Sequence, residues 1–161
     1  MFWQFSGSGS RSVTFRYRID APYTDLWTSE GIAAACERAQ AAACEAPTES
    51  DYAQEAPHIA FTPLVREIAR AIRETARDDS PLELARAAYD YVTTHVSYRY
   101  QPSYIQLDVI PDYCLATGYG DCGVMALTFI TLCRCLGVAA RWQSGLYAAP
   151  DCISPHDWAM F

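Results

Sequence analysis

The chain has 161 residues, of which 51% are hydrophobic and 19% are charged, and its net charge is −7. These proportions are typical of one globular domain that can bury a core, and they exclude a disordered chain. The acidic balance argues against nucleic acid as a partner, because a polyanion would be repelled. No apolar run is long enough for a membrane span.

The N-terminal segment predicts a strand outside the main domain. Residues 13–19 alternate apolar and basic side chains, which is the pattern of a strand, and residues 20–22 end it. Residues 1–10 lack the features of a signal peptide, so the compartment stays open between cytoplasm and export. We expect residues 1–20 to be a strand or the end of a preceding β-domain, and residues 21–161 to form the main domain.

Three helices are predicted before the central cysteine segment. Residues 29–43 are rich in alanine and are typical of a peripheral helix. Thr62 and Ser80 each precede a proline, so they predict the N-caps of a second and a third helix. Pro111 and Asp112 then indicate a turn.

Two histidines in this half of the chain are not expected to take part in chemistry. His58 follows Pro57 in a broken acidic segment, which is typical of an exposed loop. His95 lies near the end of the third predicted helix, where a histidine can interact with the terminal carbonyls.

A cysteine flanked by glycines begins the most apolar segment of the chain. Between Cys122 and Cys133 there is no charged side chain, and a helix that is apolar on nearly all sides is buried. Asp121 is a plausible N-cap, and Gly137 can end the helix, which we therefore place at about 122–136. Strands are predicted at residues 138–147 and from His156 onward. Helices followed by strands indicate an α+β fold.

Cys122 and His156 are candidates for a cysteine–histidine pair. The dipole at a helix N-terminus favours the thiolate, and the first N–H groups of the helix can stabilise an oxyanion. His156 is the only histidine downstream, and a strand beside the helix would bring it to the thiol. Gly120 and Gly123 would let a substrate backbone approach closely. The alternative is a buried cysteine and a loop histidine without a shared role.

Three segments, taken in order, resemble the bacterial transglutaminase-like superfamily. They are Gly-Asp-Cys-Gly at residues 120–123, the segment 133–145 with Leu-Gly-Val-Ala-Ala-Arg at its centre, and His-Asp-Trp at residues 156–158. The similarity covers about residues 50–161. It implies a papain-like α+β core with an antiparallel sheet after the helices, and a Cys–His–Asp triad. Cys122 would be the nucleophile and His156 the general base and acid.

The resemblance also implies an orienting aspartate on a later strand. The chain ends five residues after His156, so we expect an incomplete sheet and a site without this group. Asp157 would point to the opposite side of its strand and is not expected to replace it. Tyr98 is the candidate oxyanion donor, and Gly123 and Trp142 are candidates for the walls of the substrate cleft.

Several functions remain open at this stage. The motif implies acyl transfer on the peptide or amide bonds of a peptide or protein substrate, either as a cysteine protease or amidase with water as acceptor, which we rank first, or as a transglutaminase-like enzyme with an amine as acceptor. No Gly-rich phosphate loop or dinucleotide fingerprint is present in the sequence, so no cofactor is expected. A catalytically inactive binding or scaffold module of the same fold is the alternative. A metal site at Cys133, Cys135, Cys152 and His156 is disfavoured, because Cys-x-Cys within a helix sends its two thiols to different sides.

The seven cysteines allow two interpretations. A secreted protein would form up to three disulfides and keep one free thiol. A cytosolic protein would use most of them as small buried apolar side chains, which is the interpretation we favour.

Overall fold

The computed structural model describes residues 7–10, 28–41, 49–101, 103–149 and 152–161. The chain divides into two compact units, Met1–Cys44 and Glu45–Phe161. In the first unit, helix α1 spans Ser29–Ala41, close to the prediction. The predicted strand at residues 13–19 and the predicted domain boundary after residue 20 lie outside the described residues.

The second unit contains four α-helices and four strands among its described residues. In chain order these elements are α2 (Pro63–Thr75), α3 (Pro81–His95), β1 (Ser97–Tyr98), α4 (Ile110–Thr117), β2 (Tyr119–Gly120), α5 (Cys122–Cys135), β3 (Arg141–Ala149) and β4 (Cys152–Met160). Short 3₁₀ turns cover Glu49–Tyr52 and Tyr104–Gln106. The predicted α+β class is confirmed.

Helix α5 is the centre of the core, as its apolar sequence predicts. It contacts α2, α3, α4 and both strands of the β3–β4 hairpin. Its two threonines, Thr128 and Thr131, are fully buried, and each hydroxyl donates to the carbonyl four residues earlier, at 2.8 and 2.7 Å. These internal hydrogen bonds let a polar residue lie in the core without an unsatisfied group.

Helix α4 was not predicted, and it corrects the turn that Pro111 and Asp112 indicated. Proline is compatible with the first turn of a helix, where its missing N–H is not needed. Here Pro111 lies in the first turn of α4 and is buried. The helix ends at Gly118, which adopts a left-handed conformation with φ of 71°.

Two pairs of strands complete the second unit. Strands β1 and β2 are parallel and pair Tyr98 with Gly120, directly before the N-terminus of α5. Strands β3 and β4 form an antiparallel hairpin in which Gly145 is paired with His156 and Ser144 with Asp157. The antiparallel pairing agrees with the prediction, and β4 begins several residues before His156. Within the described residues, no helix is both long and apolar enough to cross a membrane.

Candidate active site

Cys122 is the first residue of α5, and its side chain is only partly buried. Asp121 is the N-cap, as predicted, and its Oδ1 accepts a hydrogen bond of 3.1 Å from the N–H of Val124. The thiol therefore lies at the positive end of a helix dipole whose remaining length is buried. This position can stabilise negative charge on the sulfur and on an adjacent oxyanion.

Tyr98 reaches Cys122 through the short parallel sheet. The N–H of Ser97 donates to Gly118 O at 2.8 Å, and the N–H of Arg99 donates to Gly120 O at 2.9 Å. The pKa of the Tyr98 hydroxyl is raised, first by desolvation and then by the charges of Cys122 and Asp121. A hydrogen bond with the Cys122 backbone opposes this rise, and one with the Cys122 side chain adds to it. Sequence reasoning selected Tyr98 for this neighbourhood, and the β1–β2 pairing is the reason it lies there.

Tyr104 is a residue of the site that sequence reasoning missed. Its hydroxyl donates to Asp121 Oδ1 over 2.5 Å, so the N-cap carboxylate accepts from both a phenol and a helix N–H. Desolvation, followed by the hydrogen bond and charge of Asp121, raises the pKa of Tyr104 far above its usual value. The hydroxyl therefore remains a donor. No sequence pattern marks this tyrosine, because it lies in an irregular segment.

Gly123 packs closely against two side chains, and its part in the substrate cleft stays a prediction. A Cβ at this position would lie 2.5 Å from Tyr104 Oη and 3.0 Å from Asp157 Oδ2. Such distances are well below van der Waals contact, so only glycine fits. The free space at Gly123 is used by two side chains of the protein itself.

Asp157 is the β4 side chain that contacts the thiol. Its Oδ2 lies 3.9 Å from Cys122 Sγ and can accept the S–H hydrogen, and its Oδ1 accepts a 3.0 Å hydrogen bond from Trp142 Nε1. Trp142 is thus connected to the thiol through Asp157, and its part in the wall of the substrate cleft stays a prediction. The indole and the thiol together hold one carboxylate beside the N-terminus of α5.

His156 lies on the other face of β4. Its ring packs against Tyr147 and Trp158, with ring centroids 6.0 and 6.4 Å away. The Trp158 ring covers Gly145, where a Cβ would lie 2.7 Å from the indole. The pairing of His156 with the Cys122 thiol therefore stays a prediction. The strand is present, but its register directs Asp157 toward the thiol because neighbouring residues alternate between faces.

Cys114, Cys133, Cys135 and Cys152 are free thiols. Burial raises the pKa of both Cys114 and Cys133, whereas Cys152 is exposed. Within the described part of the chain, no group of three or more histidine, cysteine or acidic side chains could hold a metal ion.

The two histidines that were not expected to take part in chemistry lie in different surroundings. His95 Nδ1 lies 2.9 Å from Tyr91 O, as expected near a helix end. His58 lines a cleft.

Comparisons with known proteins identify the family. No curated protein and no solved structure matches the chain significantly. The model of the transglutaminase-like superfamily matches residues 66–161, a span that includes Cys122, Trp142, His156 and Asp157. This span is more than half of the sequence, and it runs from within α2 to the end of β4. The chain therefore belongs to the transglutaminase-like superfamily, whose members in general carry out cysteine-dependent acyl transfer.

Proposed function

We propose that the protein catalyses acyl transfer on peptide or amide bonds through a thioester at Cys122. The observation that supports this most directly is the partly exposed thiol at the first residue of a buried helix, with donors beside it. The family's general chemistry supports the same class of reaction. Two residues that interact with Cys122, Tyr98 and Asp157, come from two separate strands.

The chemistry follows from the position of the thiol. The thiolate attacks the carbonyl carbon of the substrate, and the resulting oxyanion is stabilised by the Cys122 N–H and the Tyr98 hydroxyl. The C–N bond then breaks, and the leaving amine takes the proton that the thiol gave up. Water or a second amine then attacks the thioester carbon and gives up one proton to the general base, and the sulfur leaves as thiolate, which that proton can return to the thiol.

His156 is the proposed carrier of that proton, and this role requires a different register of β4. A shift of one residue relative to β3 exchanges the two faces of a strand. The shift would turn His156 toward the thiol and Asp157 away from it. In the present register, Asp157 accepts from the thiol and its charge opposes the thiolate, so we assign this arrangement to a resting form.

Pro155 is consistent with a weakly fixed register. It lies in β4 next to His156 and has no N–H to donate to the strand ladder. Within the described chain, β4 pairs only with β3, so a shift would break one ladder and no other.

A non-catalytic binding module is the second candidate. The contact between Asp157 and the thiol favours it, because a carboxylate beside the nucleophile suits a site that is not reactive. The two candidates differ in one observable property: only the enzyme forms an acyl adduct at Cys122.

The experiment uses p-nitrophenyl acetate, which transfers its acetyl group to reactive thiols and releases p-nitrophenol. We expect a burst of p-nitrophenol and an acetyl group on the peptide that contains Cys122, detected by mass spectrometry. Cys122→Ala should abolish the burst, whereas Cys152→Ala, which removes an exposed thiol outside the site, should retain it. Acetylation spread evenly over the exposed thiols would reject the proposal. Adding glycinamide then separates hydrolysis from transfer to an amine.

A further inference from the structure

A cleft of about 360 Å³ lies beside the candidate active site. The loop before α2, the end of α5 and the beginning of β3 supply its walls, which include Tyr52, His58, Arg134, Arg141, Trp142 and Gln143. None of the described residues that line it is acidic. Two of these side chains, Arg134 and Arg141, are positively charged, in a protein with a net charge of −7.

Arg134 supplies a buried charge without an acidic partner. The residue is 6% exposed, and its guanidinium donates to Ala140 O and Gln54 O, each at 2.7 Å. In the part of the chain that the structure describes, no carboxylate forms an ion pair with it. Burial lowers the pKa of Arg134, which reflects the cost of keeping its charge away from water. Buried charges in proteins are normally paired with an opposite charge.

Arg141 places a second positive charge at the same location. The guanidinium carbons of Arg134 and Arg141 each lie 5.7 Å from the centroid of the Tyr52 ring. The aromatic ring attracts both cations but does not neutralise them. The hydrogen-bond partner of the Arg141 side chain is Met160 Sδ at 3.6 Å, a weak acceptor. Its guanidinium therefore keeps most of its donors for a ligand.

His58 contributes a further polar group from a constrained loop. Its φ is 60°, a conformation that few residues other than glycine adopt. Two backbone hydrogen bonds between Ala56 and Ile59, of 3.1 and 2.8 Å, hold the turn closed around it. The backbone of this turn therefore fixes where the His58 side chain leaves the chain.

Trp142 belongs to both the cleft and the candidate active site. It lines the cleft, and its Nε1 donates to Asp157, the carboxylate that contacts the Cys122 thiol. A substrate bound at the thiol can therefore extend past the indole into the cleft.

We propose that this cleft binds a carboxylate of a peptide or protein acyl donor, held chiefly by Arg134 and Arg141. The proposal rests on the proposed function for its substrate class. Arginine presents a planar fork of donors that matches the geometry of a carboxylate, and such charge-assisted pairs are among the strongest hydrogen bonds in proteins. The carboxylate comes from an acidic side chain or from a free C-terminus.

The test measures equilibrium binding to the Cys122→Ala variant, which cannot turn over. The probes are blocked, fluorescein-labelled peptides that contain one glutamate at successive positions, the same peptides with glutamine, and the glutamine peptide with a free C-terminus. We expect the best glutamate or free-carboxylate peptide to bind about tenfold tighter than its neutral counterpart. A preference restricted to the free C-terminus identifies that source, and a preference restricted to glutamate identifies a side chain.

Arg141→Gln should remove the preference, and Arg141→Lys should reduce it while retaining the charge. Arg66→Gln is the matched control, because Arg66 also lies over an aromatic ring, that of Phe61 at 5.5 Å, on helix α2. It should leave the preference unchanged. Thermal unfolding of each variant verifies that the fold is intact.

Two results would overturn the proposal: equal affinity for charged and neutral peptides, or a preference that survives Arg141→Gln. Because binding is measured without turnover, the acid preference can persist even if no acyl adduct forms at Cys122. The failure of this proposal and the failure of the proposed function are therefore separate outcomes.

Discussion

At the scale of single residues, Asp121 links the capping of α5 to the environment of the thiol. The residue is 7% exposed, and its carboxylate accepts hydrogen bonds from Tyr104 and from the N–H of Val124. A buried carboxylate is costly unless its hydrogen bonds are made. Tyr104 therefore stabilises both the helix N-terminus and the position of Cys122.

Replacing Tyr104 with phenylalanine tests this link. The ring remains, but the buried carboxylate loses a donor, so the free energy of unfolding should fall by about 1.5–3 kcal/mol. Urea denaturation measures the change. Tyr113→Phe is the matched control: it removes a 2.7 Å hydrogen bond to the neutral Gln101, which should cost about 1 kcal/mol. If the two variants lost the same free energy of unfolding, the charge of Asp121 would add nothing to the strength of the Tyr104 hydrogen bond.

Asp121 and Cys122 could be predicted from sequence because helix capping is a local property. Tyr104 could not, because its contact joins an irregular segment to a helix that begins many residues later. Asp157 was not expected to replace the orienting aspartate, because it would lie on the opposite face of β4 from His156, and it does lie there. The face that packs on α5 depends on the strand register, which an alternating pattern alone does not determine.

At the scale of elements, the two threonine- or serine-capped helices are stabilised differently. Thr62 Oγ1 accepts from Val65 N at 3.2 Å and donates to Asp112 Oδ1 at 2.6 Å, which connects α2 to α4. Ser80 caps α3 through one exposed hydrogen bond of 3.4 Å. Their sequences look alike, but only the first cap also connects two helices.

Substitution of each cap by alanine should reveal the difference. We expect Thr62→Ala to lower the free energy of unfolding by about 2 kcal/mol and Ser80→Ala by about 0.5 kcal/mol, the two ends of the range for N-caps. Thermal or urea unfolding followed by circular dichroism measures both. If Ser80→Ala were the more damaging change, the contact between Thr62 and Asp112 would not be stabilising.

The proposed register shift of β4 makes opposite predictions for its two polar residues. Asp157→Asn removes a negative charge beside the sulfur, so acetylation of Cys122 should become several times faster. His156→Gln removes the proton carrier, so acetylation should slow by about 100-fold. Rates of p-nitrophenol release measure both. If instead Asp157→Asn slowed acetylation and His156→Gln made it faster, Asp157 would be the carrier of the thiol proton, and the register shift would be ruled out.

At the scale of the whole molecule, the α+β order and the central helix could be predicted because both follow from hydrophobic periodicity. Helix α4 could not, since proline at its first turn resembles a turn signal. The β1–β2 contact was also missed, because each strand has only two residues and no recognisable pattern. These long-range features position Tyr98, so the detailed geometry of the site depends on tertiary contacts.

The buried and exposed thiols of the folded protein provide internal standards for the central claim. Cys114 and Cys133 are fully buried, and Cys152 is exposed at the first residue of β4. Their environments differ from that of Cys122, which is partly exposed at the N-terminus of α5. The reactivity of each thiol can be compared within one sample.

The most direct test is limited alkylation of the native protein with iodoacetamide, with the rate at each cysteine measured by mass spectrometry. We predict that Cys122 reacts at least several times faster than Cys152, and that Cys114 and Cys133 react only after unfolding. Faster reaction at a less exposed thiol requires activation by its surroundings. If Cys122 reacted no faster than Cys152, it would not be an activated nucleophile, and the proposed acyl transfer would be contradicted.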